Sequence, residues 1–490
     1  MDSRKILPTF DHPIQLQARY KNGSALHRWL ITVILLGVFG PYVFPAQKIR
    51  TEQIAVYGSA MLLLLLNYRN WTPPRKWMLT VCGIWSLLGA AGVLVTLTAH
   101  GGFEWKPLLA GIDHFLSAVA LMFVIGSFLN RLVRSGRPLQ EEILLFGRML
   151  VFLLSVNTVV ELCQLVFGLT FSQHLAMFWD GRGYVMTDAI HNAVAVNSLF
   201  IGRLTGIFNQ PAEQGVAYGV GMILWAYRYA HAGSRTVDYL TLSFLVIGGV
   251  LGVSKIFLLG SLPLVIVYIF YAQVSVRRLN SGRGIIGLIC VICLCFAFGS
   301  SNEAQSWTGA SRIRDLVIGS GFGYLDTVTG GRFQSEGNGS VQQMSLEVLS
   351  TSPIFGNGFG SVVVYDNAYF YSLVVAGSVG LGVYLLLLVI LASPLWRVRS
   401  SPAERPRKVL YALLILFLAA SGMGLPTLTS NRASTIIWIF LLFQGCEVGL
   451  RRMSRSMVSA RQHMGSKLVT SYNHREGHAG RLGLRPGELA

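Results

Sequence analysis

Residues 367–394 read NAYFYSLVVAGSVGLGVYLLLLVILASP, and not one Asp, Glu, Lys or Arg interrupts them. A helix crosses a bilayer with about 20 mostly apolar residues, so this stretch is long enough to span one. On either side of it, comparable apolar runs recur at 29–46, 52–68, 77–98, 109–129, 143–169, 212–231, 237–254, 256–275, 284–300, 407–423 and 433–450, making about twelve in all. Only 13% of the residues are charged and 52% are hydrophobic. The expected fold class is therefore all-α, a polytopic membrane protein of about twelve transmembrane helices. Residues 1–28 read as an N-terminal tail, 29–450 as the membrane domain and 451–490 as a basic tail. Chemistry outside the membrane must come from the two long connections, 170–211 and 301–366, the second expected as a helical loop between helices 9 and 10.

Charge supplies the orientation. Cytoplasmic connections carry an excess of Lys and Arg. Arg4, Lys5, Arg19, Lys21 and Arg28 precede the first run, and alternate connections hold Arg69, Arg75 and Lys76; Arg131, Arg134 and Arg137; Arg228 and Arg235; Arg277, Arg278 and Arg283; then Arg397, Arg399, Arg405, Arg407 and Lys408. All fall on one side if both termini are cytoplasmic, which places both long connections outside. Lys48 and Arg50, in the short first outer loop, run against the rule. The formal net charge of +18 suits connections and tails facing anionic lipid, and no basic patch interleaved with aromatics points to nucleic acid. The tail 453–490, rich in Gly, Arg and Ser, is expected to be disordered. Residues 1–28 are polar and the first run is long, so no cleavable signal peptide is expected. No internal repeat stands out, which leaves an inverted-repeat transporter without support.

Cys82, Cys163, Cys290, Cys293, Cys295 and Cys446 all fall within apolar runs, so no disulfide framework braces the outer loops. The Cys290/Cys293/Cys295 group lies among Ile, Val, Leu and Phe with no His and reads as packing. Neither a metal site nor a cofactor is expected.

Ionisable groups inside spans cost roughly 2.5–3.5 kcal/mol each at mid-bilayer. Asp113 and His114 in the fourth run and Glu161 in the fifth therefore need a reason, either a hydrogen bond between helices or a place lining a substrate cavity. Arg148 lies close enough to a cytoplasmic end to snorkel. Lys255, in Gly252-Val253-Ser254-Lys255, sits between two runs with almost no loop. It either marks a tight turn or meets phosphate at the outer face. Arg203 opens RLTGIFNQP (203–211), whose Gly, Asn and Pro make a turn ahead of a helix near Ala212. A guanidinium beside a helix N-terminus suits an anion. In the second connection, helices are expected at 311–325 and 341–350 in a Gly-rich frame. Arg332 between them is a phosphate candidate or a partner for Glu336. Asp366, at the start of the tenth run, is either a helix N-cap or a partly desolvated general base. The spacing of Ala376, Gly377, Ser378, Gly380 and Gly382 permits close helix contact.

Three of these stretches, 203–211 (RLTGIFNQP), 331–358 (GR…PIFGNG) and 366–380 (DNAYFYSLVVAGSVG), together with Gly252 to Lys255 (GVSK), resemble the O-antigen polymerase and O-antigen ligase family of bacterial envelope proteins. The resemblance covers roughly 200–385; the first five runs match only in hydropathy and count. It implies an inverting glycosyltransferase of the inner membrane, acting at the periplasmic face on glycan linked to undecaprenyl pyrophosphate, without a nucleotide-sugar donor. Arg203 and Arg332, with Lys255 third, would hold the pyrophosphate, and Asp366 would take the acceptor proton. Ligases of the family carry His where this chain has Asp366, which places the chain on the polymerase side. The alternatives are a ligase that moves finished polymer to lipid A core, and a flippase of lipid-linked oligosaccharide. A chain-length regulator and a flippase of the same pathway are the partners such a polymerase implies.

Overall fold

The computed structural model describes residues 12–44, 49–67, 76–98, 105–134, 138–179, 202–232, 236–276, 347, 350–361, 367–397, 405–429 and 432–446. The ninth run, 284–300, and all of 301–346 lie outside the described residues, as do Arg332 and Asp366.

The chain is predominantly helical. Helices α1 (His12–Val38), α2 (Thr51–Asn67), α3 (Lys76–Thr98), α4 (Trp105–Arg134) and α5 (Leu139–Trp179) are followed by α6 (Pro211–Ala232) and α7 (Thr236–Leu251). Then come a π turn at Ile256–Ser261, α8 (Leu262–Val276), α9 (Ala368–Arg397), α10 (Arg405–Ser421) and α11 (Arg432–Cys446). Four segments are long and apolar enough to cross a membrane: Lys76–Thr98, Leu108–Val133, Leu139–Trp179 and Ala368–Trp396. Their outward faces are apolar too. Leu87 and Leu94 on α3, Phe152 and Val166 on α5, and Leu386 and Trp396 on α9 are all exposed. Apolar surface of that extent belongs against lipid tails.

α11 is the hub. Every residue from Ile436 to Gln444 is buried, as suits a helix hydrophobic on all sides. Trp85 on α3 packs on Phe115 of α4 and on Trp438 of α11, with ring centroids 4.6 and 5.3 Å apart. Its indole donates to the Phe115 carbonyl at 3.2 Å, so the large ring enters the core with its polar edge satisfied.

Several element limits differ from the sequence reading, each for a local reason. α1 begins at His12, inside the stretch read as a tail, and ends at Val38 rather than continuing to 46. Gly40-Pro41 follows, and proline cannot supply the helical N–H. The chain instead forms a two-stranded antiparallel sheet, β1 (Tyr42–Phe44) with β2 (Ile49–Arg50), closed by Thr51 donating N–H and hydroxyl to the Pro41 carbonyl at 3.1 and 2.6 Å. α5 runs past 169 to Trp179 through a break at Gly168 (φ 63°), so the start of the first long connection is helical. The Trp179 indole ties that end to α1 by donating to the Phe39 carbonyl at 3.0 Å.

The small-residue stripe of α9 does something other than admit a helix. Ala376 and Gly377 leave helical geometry, and Gly377 has φ 65°. Interrupting a helix at membrane depth strands backbone groups that no water can satisfy. Residues 352–357 come in and pair with them. Asn357 N–H donates to the Val374 carbonyl at 2.8 Å, Ser378 N–H to Pro353 at 2.9 Å and Val379 N–H to Ile354 at 3.3 Å. A side chain at Gly377 would collide with the Ile354 carbonyl. PIFGNG, one of the stretches that carry the resemblance, is thus built into α9.

Candidate functional site

The RLTGIFNQP loop reaches the residue just before the GVSK turn. Leu204 N–H donates to the Leu251 carbonyl at 3.0 Å, joining the 203–210 loop to the end of α7 and the GVSK turn. The loop is less superficial than its composition suggests, since Leu204, Thr205, Ile207 and Phe208 are all buried. α5 holds it from below with a polar face. Gln164 Oε1 accepts from Gly206 N–H at 2.8 Å, and Asn157 Oδ1 accepts from Ile207 N–H at 2.9 Å. Those side chains replace the backbone partners that a loop lacks. Gly206 has φ 60°, and a Cβ there would strike Asn157. Gly206→Ala is expected to cost at least about 1–2 kcal/mol from the left-handed backbone alone. Thermal unfolding in detergent checks this, and an unchanged midpoint would mean that the loop is not so held.

Between Asn157 and Gln164 on the same face lies Glu161, fully buried. Its Oε1 accepts from Asn157 Nδ2 at 2.5 Å, Gln214 Nε2 at 2.8 Å and the Tyr218 hydroxyl at 2.9 Å. Of the two roles open to Glu161 in the sequence, the described contacts are those of an interhelical hydrogen-bond node, between α5 and α6. Asp113 is similar: it accepts from Tyr57 and Gln53 of α2 at 2.6 and 2.5 Å. His114 is half-buried beside it.

Arg203 and Lys255 are both half-buried. Lys255 leads into the π turn, an uncommon geometry that often accompanies functional sites, two residues after Val253 with its strained φ of 44°. From there contacts run to the start of α9. A side chain at Gly424 would lie 3.3 Å from Ile256, Met423 O accepts from Asn367 Nδ2 at 3.1 Å, and Gly422 O accepts from Ala368 N–H at 2.7 Å. Asn367 also caps α9, its Oδ1 accepting from Tyr369 N–H at 2.9 Å and Phe370 N–H at 3.3 Å. The capping role that competes with a base role for Asp366 is therefore filled by its neighbour. Beside this first turn is a small cavity of about 10 Å³ lined by Trp85, Phe115, Ala368, Tyr371, Tyr384 and Thr429, among others.

Next to the loop is a buried charge cluster to which sequence reasoning assigns no role. Arg432, at the start of α11, is fully buried, with Glu213, Glu52 and Arg50 almost equally so. Arg432 donates its backbone N–H to Glu213 Oε1 at 2.7 Å, Nη1 to the Ile207 carbonyl and Nη2 to the Gly40 carbonyl at 3.1 Å. Its guanidinium also lies 5.8 Å from the centre of the Tyr42 ring. Arg50 pairs with Glu52 at 3.2 Å, and Glu52 accepts from the Thr435 hydroxyl at 2.7 Å. Burial holds the Tyr42 phenol above its ordinary range despite Arg50 and Arg432 nearby, so it stays neutral and accepts from Asn209 Nδ2 at 2.9 Å. The signal was present in Arg50, the exception to the charge rule: it is a buried partner of Glu52 and not a surface charge.

Among the described residues no three His, Cys, Asp or Glu side chains converge. No family model and no curated protein matches the chain.

Proposed function

We propose that this chain is an inner-membrane polymerase of about twelve spans, with both termini cytoplasmic. It would join lipid-linked oligosaccharide repeats into an O-antigen, exopolysaccharide or capsule at the periplasmic face. The observation that carries the reading is the 3.0 Å bond from Leu204, in RLTGIFNQP, to Leu251, the residue that precedes GVSK. It brings the Arg203 and Lys255 segments to one end of the bundle, next to the capped start of α9.

In the proposed reaction the acceptor hydroxyl attacks the anomeric carbon from the face opposite the leaving pyrophosphate. The carbon–oxygen bond breaks, its electron pair goes to the pyrophosphate, and Asp366 takes the hydroxyl proton. Charge grows on the leaving phosphate, where Arg203, Arg332 and Lys255 stabilise it more in the transition state than in the ground state. Asp366 in place of the His of related ligases favours chain growth on the carrier over transfer to lipid A core.

Glycan carried on undecaprenyl pyrophosphate in cells lacking the chain tests the reading. Single repeats should accumulate; long chains would make the protein a ligase, and a normal length distribution would remove it from the pathway. Arg203→Ala should slow elongation by about 10–100-fold, the worth of one hydrogen bond to a charged group. Full elongation by that variant would exclude Arg203 from the pyrophosphate site.

A further inference from the structure

At the other end of α5 and α6 lies a second site, independent of the transfer chemistry. A shallow cleft between the two helices is lined by Ile143, Val151, Leu224 and Trp225, with Arg148 and Arg228 among its walls. Arg228 lies about 22 Å along α6 from Glu213, at 1.5 Å per residue, so this cleft is remote from the 203–210 loop.

The two arginines are unlike in setting. Arg148 is exposed. It shares one helical face of α5 with Leu145, Phe152, Val156 and Val159, all exposed, so on a membrane-embedded bundle that face meets lipid. A guanidinium there is tolerable near an interface where an anion meets it. Among the described residues it makes no ion pair. Arg228 points its Nη2 at Asp238 Oδ1, 2.8 Å away. Its buried Nε has no hydrogen-bond partner among the described residues. With Arg228 matched by Asp238, the cleft is left one positive charge in excess. Its other walls are apolar apart from Tyr227.

We propose that this cleft binds one anionic phospholipid, its phosphate held between Arg148 and Arg228 and an acyl chain laid along the Leu145–Phe152 face. A free inorganic anion gains nothing from the apolar walls. A zwitterionic lipid adds a cation where the cleft already has an excess of positive charge. This is also the end of the bundle that the basic connections assign to the cytoplasm, where pockets between helices take up acidic headgroups.

Native mass spectrometry of the full chain in detergent, titrated with phosphatidylglycerol or phosphatidylcholine, tests the site. Phosphatidylglycerol should be retained and phosphatidylcholine not. Arg148→Ala, an exposed change that leaves the core intact, should weaken retention about fivefold, as befits one basic residue at a membrane surface. Gly147→Leu, directed at the cleft wall without altering charge, should weaken it as well. Equal retention of the two lipids, or unchanged binding by Arg148→Ala, overturns the proposal. Displacement of phosphatidylglycerol by millimolar inorganic phosphate would overturn it too, since the site would then be one for free anions.

Discussion

Arg432→Met is expected to destabilise the folded chain by about 2–6 kcal/mol, at about 1–3 kcal/mol for each of the two carbonyls left without its donor. Methionine fills much of the same volume, so the loss is chiefly electrostatic. The guanidinium reaches two segments far apart in sequence, Gly40 after α1 and Ile207 in the motif loop, while the backbone N–H of the same residue meets Glu213 in the first turn of α6. Without it, the Glu213 carboxylate keeps the backbone N–H of residue 432 but loses its nearest cation, and two buried carbonyls lose their donor. Unpartnered groups in a dry interior are costly because no water replaces the missing bond. Arg432→Lys should recover part of the loss, since a single ammonium restores the charge and cannot fork to both carbonyls. Thermal unfolding of purified variants in one detergent reads the result. A midpoint for Arg432→Met equal to that of the parent chain would mean that the cluster does not hold the loop in place.

That cluster also marks where reading the sequence runs out. Helices at 77–98 and 368–396 were legible because composition alone dictates them: long uncharged runs have few other folds in lipid. What ends or breaks a helix was harder. Gly40-Pro41 stops α1 inside an apolar run, Gly168 fails to stop α5, and Gly377 opens α9 to receive 353–357. A glycine is compatible with all three outcomes, and only the neighbour that arrives decides among them. Arg203 and Lys255 stood out as candidates because a basic residue at a Gly-rich membrane turn is conspicuous. Glu52, Glu213 and Arg432 are not, because each sits at a span boundary, where charge is ordinary. Their pairing is long-range, Glu52 to Thr435 and Glu213 to Arg432, and no local pattern encodes it. The capping of α9 lay between the two: Asp366-Asn367 was a visible cap signal, but the bonds of Asn367 to Tyr369, Phe370 and Met423 are long- and short-range contacts that only the fold displays.

That division of labour yields the largest effect expected on activity. Under the proposed reaction, Asp366→Asn should slow glycan elongation by about 10²–10⁴-fold, the usual contribution of a positioned proton acceptor, while leaving thermal stability unchanged. An amide of the same shape cannot take the proton from the attacking hydroxyl. Asn367→Ala is the counterpart. It removes the acceptor for Tyr369 and Phe370 N–H and the donor to Met423, so it should cost about 0.5–2 kcal/mol of stability, and activity only in proportion to the protein that remains folded. The two substitutions sit one residue apart, so a change acting merely through a damaged helix start would produce the same pattern in both. Elongation of lipid-linked repeats in membranes, set against unfolding midpoints of the same preparations, separates the two effects. An Asp366→Asn protein that elongates at the parent rate sinks the base assignment. One that loses stability as Asn367→Ala does returns Asp366 to a structural role and leaves the acceptor proton to another group.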